Sequence, residues 1–398
     1  MAKRIYLDYA STTPIDPKVF RTLLPFLKDN FGNPSSVHYF GQKAQVAIDI
    51  AREKIAKFLG CSSEEIVFTG SATEANNLVI KGLTSYFLPQ TSNFRPHIIT
   101  SQIEHKAVLE PCKALGKKGV EITYLPVNDQ GLIQISRLAK KIKENTVLVS
   151  TMYANNEIGV IQPIVEIGKL LKNINRIKEK SKVQKTYFHT DAVQAINWLD
   201  CKVERLGVDL LTLSGHKIYG PKGIGALYIK KGTPIEAQIR GGGQEQGLRS
   251  GTENVSAIVG LGAAIAKVKS QKSKVKSIRR LRNKLIKETL RNIPDVKLNT
   301  PLQNSLPNIV NFSFKGAEGE AIVIALDQEG ICVSTGSACA AKSLEPSHVL
   351  LALGLSEEEA HTSVRFSLGR YTTEKEINYV LKVLPEVIAK LRKISGYL

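Results

Sequence analysis

Through the first two-thirds of the chain, short apolar runs alternate with longer amphipathic ones. Seven runs have strand character: Glu65–Thr69, His97–Ser101, Glu121–Pro126, Thr146–Met152, Thr186–Thr190, Leu210–Ser214 and Ile224–Ile229. Four intervening stretches, Glu74–Gly82, Lys106–Gly116, Ile135–Glu144 and Pro163–Lys178, place apolar residues at helical spacing. Val147–Ser150 and Leu210–Leu213 are almost unbroken apolar runs, as expected of strands covered on both faces. The alternation predicts an α/β unit built on a mainly parallel sheet. Past about Gly262 the rhythm changes. A long helical stretch, Leu261–Arg291, leads into candidate strands Ile309–Phe314, Ile331–Ser334 and Ser363–Leu368, and an amphipathic helix, Glu374–Lys393, follows. This second pattern predicts a smaller α+β unit. The boundaries expected are 16–262 for the large domain, with 1–15 and 263–398 together forming the small one.

Composition narrows the class. A chain of 398 residues suits two domains or one large one. Its longest apolar candidate, Ile258 to Ala266, falls far short of the ~18 residues that span a bilayer. The start, Met1-Ala2-Lys3-Arg4, is basic but no apolar stretch follows it, so no secretory signal is expected. The five cysteines show no zinc-type spacing, which fits reduced thiols and a cytoplasmic setting. The net charge of +19 is the one extreme value. Residues 267–291 hold eleven Lys and Arg against Glu288 alone, and 169–185 hold seven against Glu179 alone. The excess is therefore two local faces rather than a spread over the whole chain, which argues against a dedicated nucleic-acid binder.

Three segments carry candidate chemistry. Ser214-Gly215-His216-Lys217 follows a buried strand, and a lysine desolvated in such a turn is suited to forming a Schiff base. Asp191 ends the run Tyr187-Phe188-His189-Thr190-Asp191, at the sheet edge where α/β proteins place ligands. A carboxylate there can pair with a protonated ring nitrogen. Gly70-Ser71-Ala72-Thr73-Glu74 opens a helix after a strand and offers backbone N–H groups and hydroxyls to a phosphate, without a P-loop or GxGxxG pattern. Singly, each reads equally well as a turn lysine, a helix cap or a capping box. Together, with Lys217 coming 26 residues after Asp191, they follow the order of a pyridoxal-phosphate enzyme.

Longer strings make the resemblance specific. Tyr6-Leu7-Asp8-Tyr9-Ala10, Phe31-Gly32-Asn33-Pro34-Ser35-Ser36, Thr73-Glu74-Ala75-Asn76-Asn77, Glu104-His105-Lys106-Ala107-Val108, Asn155-Asn156-Glu157-Ile158-Gly159, Ser214-Gly215-His216-Lys217 and Gly336-Ser337-Ala338-Cys339 run nearly end to end. In these the chain resembles the class V aminotransferase-type cysteine desulfurases. The resemblance implies a type I pyridoxal-phosphate-dependent transferase fold: a large cofactor-binding domain on a mainly parallel seven-stranded sheet, and a smaller α+β domain carrying a catalytic cysteine loop. By the same resemblance Lys217 would hold pyridoxal 5′-phosphate, and Asp191 and Gln194 would address its ring nitrogen and 3-oxygen. His105 would stack on the ring and assist proton transfer. Ala72, Thr73, Ser214 and His216 would bind the phosphate, joined by Thr252 of a partner subunit in a homodimer. Asn156 and Arg365 would take the substrate carboxylate, Arg365 through its bidentate fork.

Cys339 decides the reaction. It lies among small residues in a segment expected to move, whereas Cys332 sits in the apolar run Ile331-Cys332-Val333, and Cys61, Cys112 and Cys201 have no chemical companions. The Gly-Ser-Ala-Cys string resembles the group of the family with the longer cysteine loop. The implied reaction takes L-cysteine to L-alanine, with Lys217 as general base and the sulfur left as a persulfide on Cys339. A persulfide needs a collector. A sulfur acceptor is implied, either an IscU- or NifU-like scaffold for iron–sulfur clusters or a tRNA-thiolation enzyme, with no membrane and no resident metal beyond transient ligation of a nascent cluster by Cys339. Selenocysteine lyase, or another class V aminotransferase, is the nearest alternative. The basic faces are expected to be solvated surface or to steer acidic partners.

Overall fold

The computed structural model describes residues 4–88, 94–268, 272–336 and 345–397. A two-residue strand β1 (Ile5–Tyr6) precedes the large sheet, which is formed by β2 (Ile66–Thr69), β3 (His97–Ser101), β4 (Glu121–Leu125), β5 (Thr146–Ser150), β6 (Tyr187–Asp191), β7 (Leu210–Ser214) and β8 (Gly225–Ile229). Their spatial order is β2-β8-β7-β6-β5-β3-β4. Only β8 runs against its neighbours, so six strands end on one side of the sheet. Thr69, Ser101, Ser150, Asp191 and Ser214 all sit on that edge. The expected seven strands are present, each within about two residues of its expected ends. The expected helices are seen as Ala72–Asn77 with a π turn over Leu78–Gly82, Lys106–Gly116, Ile135–Lys141 and Ile164–Lys180.

One long helix lies outside the sequence expectation. Tyr39–Leu59 buries Ala44, Ile48, Ala51, Ile55 and Leu59 and is closed by Gly60 in the left-handed conformation, φ 77°. Its stripe leans on alanines, while Val46 and Ile50 face outward and blur the 3.6-residue period. The helix Val255–Val268 packs directly on it. Gly262 makes that approach possible, since a Cβ there would lie 2.7 Å from the Ala51 Cα and Cβ. The expected long helix over Leu261–Arg291 is observed as two, Val255–Val268 and Lys272–Asn292.

A second core gathers Ile5, Leu7, Ile278, Leu281, Leu285, Phe312, Phe366, Ile377 and Leu384. It is built on β9 (Val296–Leu298), β10 (Ile309–Phe314), β11 (Ile331–Cys332) and β12 (Ser363–Ser367), in an antiparallel sheet ordered β12-β10-β9 and a parallel pair β1-β11. The basic helix Lys272–Asn292 turns one apolar stripe into this core, as its spacing predicts. Two basic residues depart from the expected solvated faces. Arg282 is buried and donates to the Ser305 hydroxyl and the Leu306 carbonyl. Lys178 is buried and donates to the carbonyls of Glu144 and Thr146 and to the Thr186 hydroxyl. Burial pulls the Lys178 amine down to about 8. Among the described residues, no helix is long and apolar enough to cross a membrane.

Gly262→Ala tests the helix contact. Alanine gains about 1 kcal/mol of helix propensity over glycine, but the steric push against the Ala51 backbone costs about 1–3 kcal/mol. Urea denaturation is expected to show a net loss of stability; an unchanged or raised midpoint would mean the two helices separate freely.

Candidate active site

The cleft of about 690 Å³ opens at the C-terminal edge of the parallel strands. It is lined by Ala72, Thr73, His105, Asn156, Asp191, Gln194, Ser214, His216, Lys217 and Arg365, so ten of the twelve expected site residues share one cavity. Thr252 is exposed and does not line the cleft of its own chain. Cys339 lies outside the described residues.

The strand ends dictate the placement. Asp191 closes β6 and is buried; its carboxylate accepts from the Asn76 side-chain amide at 2.7 Å and from the Val193 N–H at 3.0 Å. Lys217 ends the turn Gly215–Lys217 that follows β7. Its amine donates to the carbonyls of Ala10 (2.7 Å) and Ser11 (2.6 Å). Gln194 also donates to the Ala10 carbonyl, at 2.9 Å. His105 caps the helix Lys106–Gly116, its Nδ1 accepting from the Ala107 N–H at 3.1 Å. That bond leaves the imidazole proton on Nε2 whenever the ring is neutral. Burial, with the Lys217 and Lys222 charges adding to it, pulls His216 down to about 4 and keeps it neutral.

The turn expected to meet the phosphate is a packing product. Ser71 caps the helix Ala72–Asn77 by accepting from the Glu74 N–H. Gly225 of β8 lets this turn lie against the sheet, because a Cβ there would fall 2.7 Å from the Ser71 carbonyl carbon. Glu74 in turn holds the Gly70 N–H and pairs with Arg249 at 2.9 Å. The turn, the buried acid and the lysine fit a phosphorylated pyridine aldehyde. Gly225 seats the turn that would meet the phosphate, Asp191 is fixed as an acceptor by Asn76 and the Val193 N–H, and Lys217 lines the same cleft.

Arg365 is 2% exposed and comes from β12 of the other core. Its Nη2 meets Asp8 Oδ1 and Ser11 Oγ, both at 2.7 Å, and its Nη1 meets the carbonyls of Asn156 (2.9 Å) and Gly336 (3.2 Å). Sequence reading missed Asp8, Ser11, Asn76 and Glu104 as members of the site. Asp8, Asn76 and Glu104 stood inside the strings that carried the resemblance, but a string does not say what its residues touch. Glu104 is wholly buried, accepting from the Met152 N–H and the Ser101 hydroxyl. Burial outweighs these donors and pushes its carboxyl up to about 8, with the Asp191 charge adding to the shift. Among the described residues no group of three His, Cys, Asp or Glu could hold a metal ion.

The model of the aminotransferase class-V family matches residues 5–380. A cysteine desulfurase IscS of Dictyoglomus turgidum is 51% identical over 398 residues, covering 100% of this chain and 98% of that protein. Among solved structures, a NifS-like protein superposes with a TM-score of 0.87 at 39% identity, covering 99% of this chain and all of that one. SspA, solved in complex with cysteine, superposes at 0.78 with 40% identity, covering 93% of this chain and 100% of its own.

The Glu104 carboxyl gives a pH signature. Its folded pKa, about 8, lies above the ordinary carboxyl value of 4.5, so the folded state binds the proton more tightly than the unfolded one. Its contribution to stability is full below about 4.5, falls as pH rises from there to about 8, and is then constant. Glu104→Gln removes that slope. Urea midpoints at pH 5 are expected to be similar for variant and wild type, while at pH 8 the variant gains relative to wild type. Parallel pH profiles for the two proteins would refute this.

Proposed function

The chain belongs to the class-V aminotransferase family, whose members are pyridoxal-phosphate enzymes, and from that premise we infer that it is a cysteine desulfurase converting L-cysteine to L-alanine. The observation that carries the reading is the meeting of Lys217, Asp191, His105 and Arg365 in one cleft. That these parts, ordered in the sequence as expected, line one cavity supports assigning holders to ring, phosphate and carboxylate.

When bound, the cofactor supplies an electron sink that acidifies the substrate Cα–H bond. Lys217 would hold it through its amine and, with that amine free, would take the Cα proton. Asp191 would pair with the ring nitrogen, and Gln194 would address the ring oxygen. Ala72, Thr73, Ser214 and His216 would receive the phosphate. His105, whose Nδ1 accepts from the Ala107 N–H, would stack on the ring and donate through Nε2. Asn156 and Arg365 would orient the carboxylate. The Cys339 thiolate attacks the substrate sulfur; the sulfur–carbon bond breaks, its electron pair passes to the carbon side, and proton return there yields alanine. Sulfur stays on Cys339 as a persulfide, to be collected by a scaffold or tRNA-thiolation protein.

The same reading divides the chain into 16–262 and a unit of 1–15 with 263–398; the second core, drawn from both 1–15 and 263–398, supports it, while the large core also takes in Ala10, Ala264, Ile265, Val268, Leu306 and Ile309. It makes the enzyme a homodimer in which Thr252 completes the partner's phosphate site. Support comes from the exposure of Thr252 and from an uncovered apolar surface that includes Leu27, Phe31, Val37 and Tyr39, each more than 60% exposed. A cytoplasmic setting agrees with free Cys61, Cys112, Cys201 and Cys332.

Two variants test the reading. Lys217→Ala is expected to lose the visible band of the bound cofactor and its borohydride-reducible adduct while staying folded. Cys339→Ser is expected to keep the band and its spectral response to L-cysteine, yet to transfer no sulfur. A persulfide found on Cys332 or Cys61 of the wild type, and none on Cys339, would overturn the assignment. Sedimentation of a fully active monomer would overturn the homodimer.

A further inference from the structure

The string Tyr6-Leu7-Asp8-Tyr9-Ala10 has no part in the chemistry above, yet its acid touches the site. Asp8 is fixed by the sheet: it forms a bridge to Ser367, and the flanking Leu7 and Tyr9 N–H groups bond to the carbonyls of Cys332 and Ser367. From there its Oδ1 accepts from Arg365 Nη2 at 2.7 Å and from the Ser11 hydroxyl at 2.8 Å, while the Ser11 oxygen also accepts from Nη2 at 2.7 Å. Both terminal nitrogens of Arg365 are thereby clamped, one by Asp8 and Ser11, the other by two carbonyls. Its Nε is buried and has no hydrogen-bond partner among the described residues.

We propose that Asp8 is a positioning residue for carboxylate recognition, fixing the plane of the Arg365 guanidinium directly and through Ser11. The proposal rests on the assignment of Arg365 to the substrate carboxylate. An arginine has many rotamers, and with both terminal nitrogens held by protein acceptors a carboxylate must be met in one plane, at the Nε–H that has no partner among the described residues. An unclamped guanidinium would sample that plane only part of the time, and the apparent affinity for substrate would fall in proportion. A clamp made of neutral carbonyls alone would hold the fork but leave a buried positive charge without a counter-ion. Asp8 supplies the charge and the direction together. A rival role has the opposite sign: if Asp8 competed with substrate for Arg365, removing it would tighten binding.

The test uses the cofactor-loaded enzyme with L-cysteine as substrate. Two inhibitors probe the carboxylate grip: L-alanine, which keeps the group, and cysteamine, which lacks it. Asp8→Ala is expected to raise KM for L-cysteine about 10-fold, the scale of one lost charge-assisted hydrogen bond, with kcat little changed. Inhibition by L-alanine should weaken in step, inhibition by cysteamine should not change, and the visible band should be that of wild type. Asp8→Asn, which retains an acceptor oxygen, should recover most of the loss. If Asp8→Ala does not fold, Asp8→Asn carries the test alone, with KM expected to rise about 2- to 3-fold from the lost charge assistance. Arg365→Gln separates the two levels. Should it leave L-alanine inhibition untouched, the assignment of Arg365 fails. Should it abolish that inhibition while Asp8 variants leave KM unchanged, lower it, or weaken cysteamine equally, the positioning role of Asp8 is overturned.

Discussion

The buried guanidinium of Arg365 is the constraint on which the arrangement of the site depends. A charge 2% exposed costs several kcal/mol to desolvate, on the order of 3–5 kcal/mol if its partner is lost. It is held only because four acceptors from three remote parts of the chain converge on it. Asp8 and Ser11 come from the N-terminal segment, Asn156 from the turn after β5, and Gly336 from the segment after β11. Neither core brings these segments together by itself. The carbonyls of Ala10 and Ser11 also receive the Lys217 amine, so one short stretch of chain touches both the residue proposed to bind the cofactor and the residue proposed to bind the substrate. The position of the arginine and the position of the lysine are thus set by the same few residues.

Polar groups inside the large sheet obey the same accounting. His189 of β6 lies between the Ser150 hydroxyl at 2.8 Å and the Thr212 hydroxyl at 3.1 Å, and His97 of β3 lies between Thr146 and Thr123 at 2.8 and 2.9 Å. Burial pulls His189 down to about 3 and His97 to about 4, so both rings are neutral, each with one donor and one acceptor nitrogen. Two hydroxyls match that pair of roles without a charge. The chemistry of the cleft is therefore set apart from the two histidines inside the sheet. His105, His216 and His348 line the cavity, and His97 and His189 do not.

Much of this was legible in the residues, and the parts that were not have physical reasons. The seven strands stood out because buried strands are short apolar runs between turn residues, a signal local in sequence. The site residues were legible only through the long strings, since Asp191 alone reads as a cap and Lys217 alone as a turn lysine. The helix Tyr39–Leu59 escaped because its inner stripe leans on alanines while Val46 and Ile50 face outward. Lys178 and Arg282 escaped for the opposite reason: each sits in a run of solvated charges, and only tertiary contacts single it out. Asp8, Asn76 and Glu104 were in view as letters. What they do depends on partners more than 40 residues away, Arg365, Asp191 and Met152.

The segment carrying Cys339 lies outside the described residues, but the two points between which it runs do not. On one side, Gly336 gives its carbonyl to Arg365 at 3.2 Å and adopts φ 92°, a conformation that other residues rarely take. On the other, Ser347 donates to Glu157 at 2.5 Å while capping the helix His348–Ala352. A Cβ on Gly336 would itself lie 3.4 Å from the same Glu157 carboxylate. Both ends are therefore referenced to the turn Asn155-Asn156-Glu157, whose Asn155 side chain accepts from the Glu157 and Ile158 N–H groups and fixes its shape. That turn also presents Asn156 to the cleft. The described residues on either side of that segment and the proposed carboxylate site thus share one hydrogen-bonded turn.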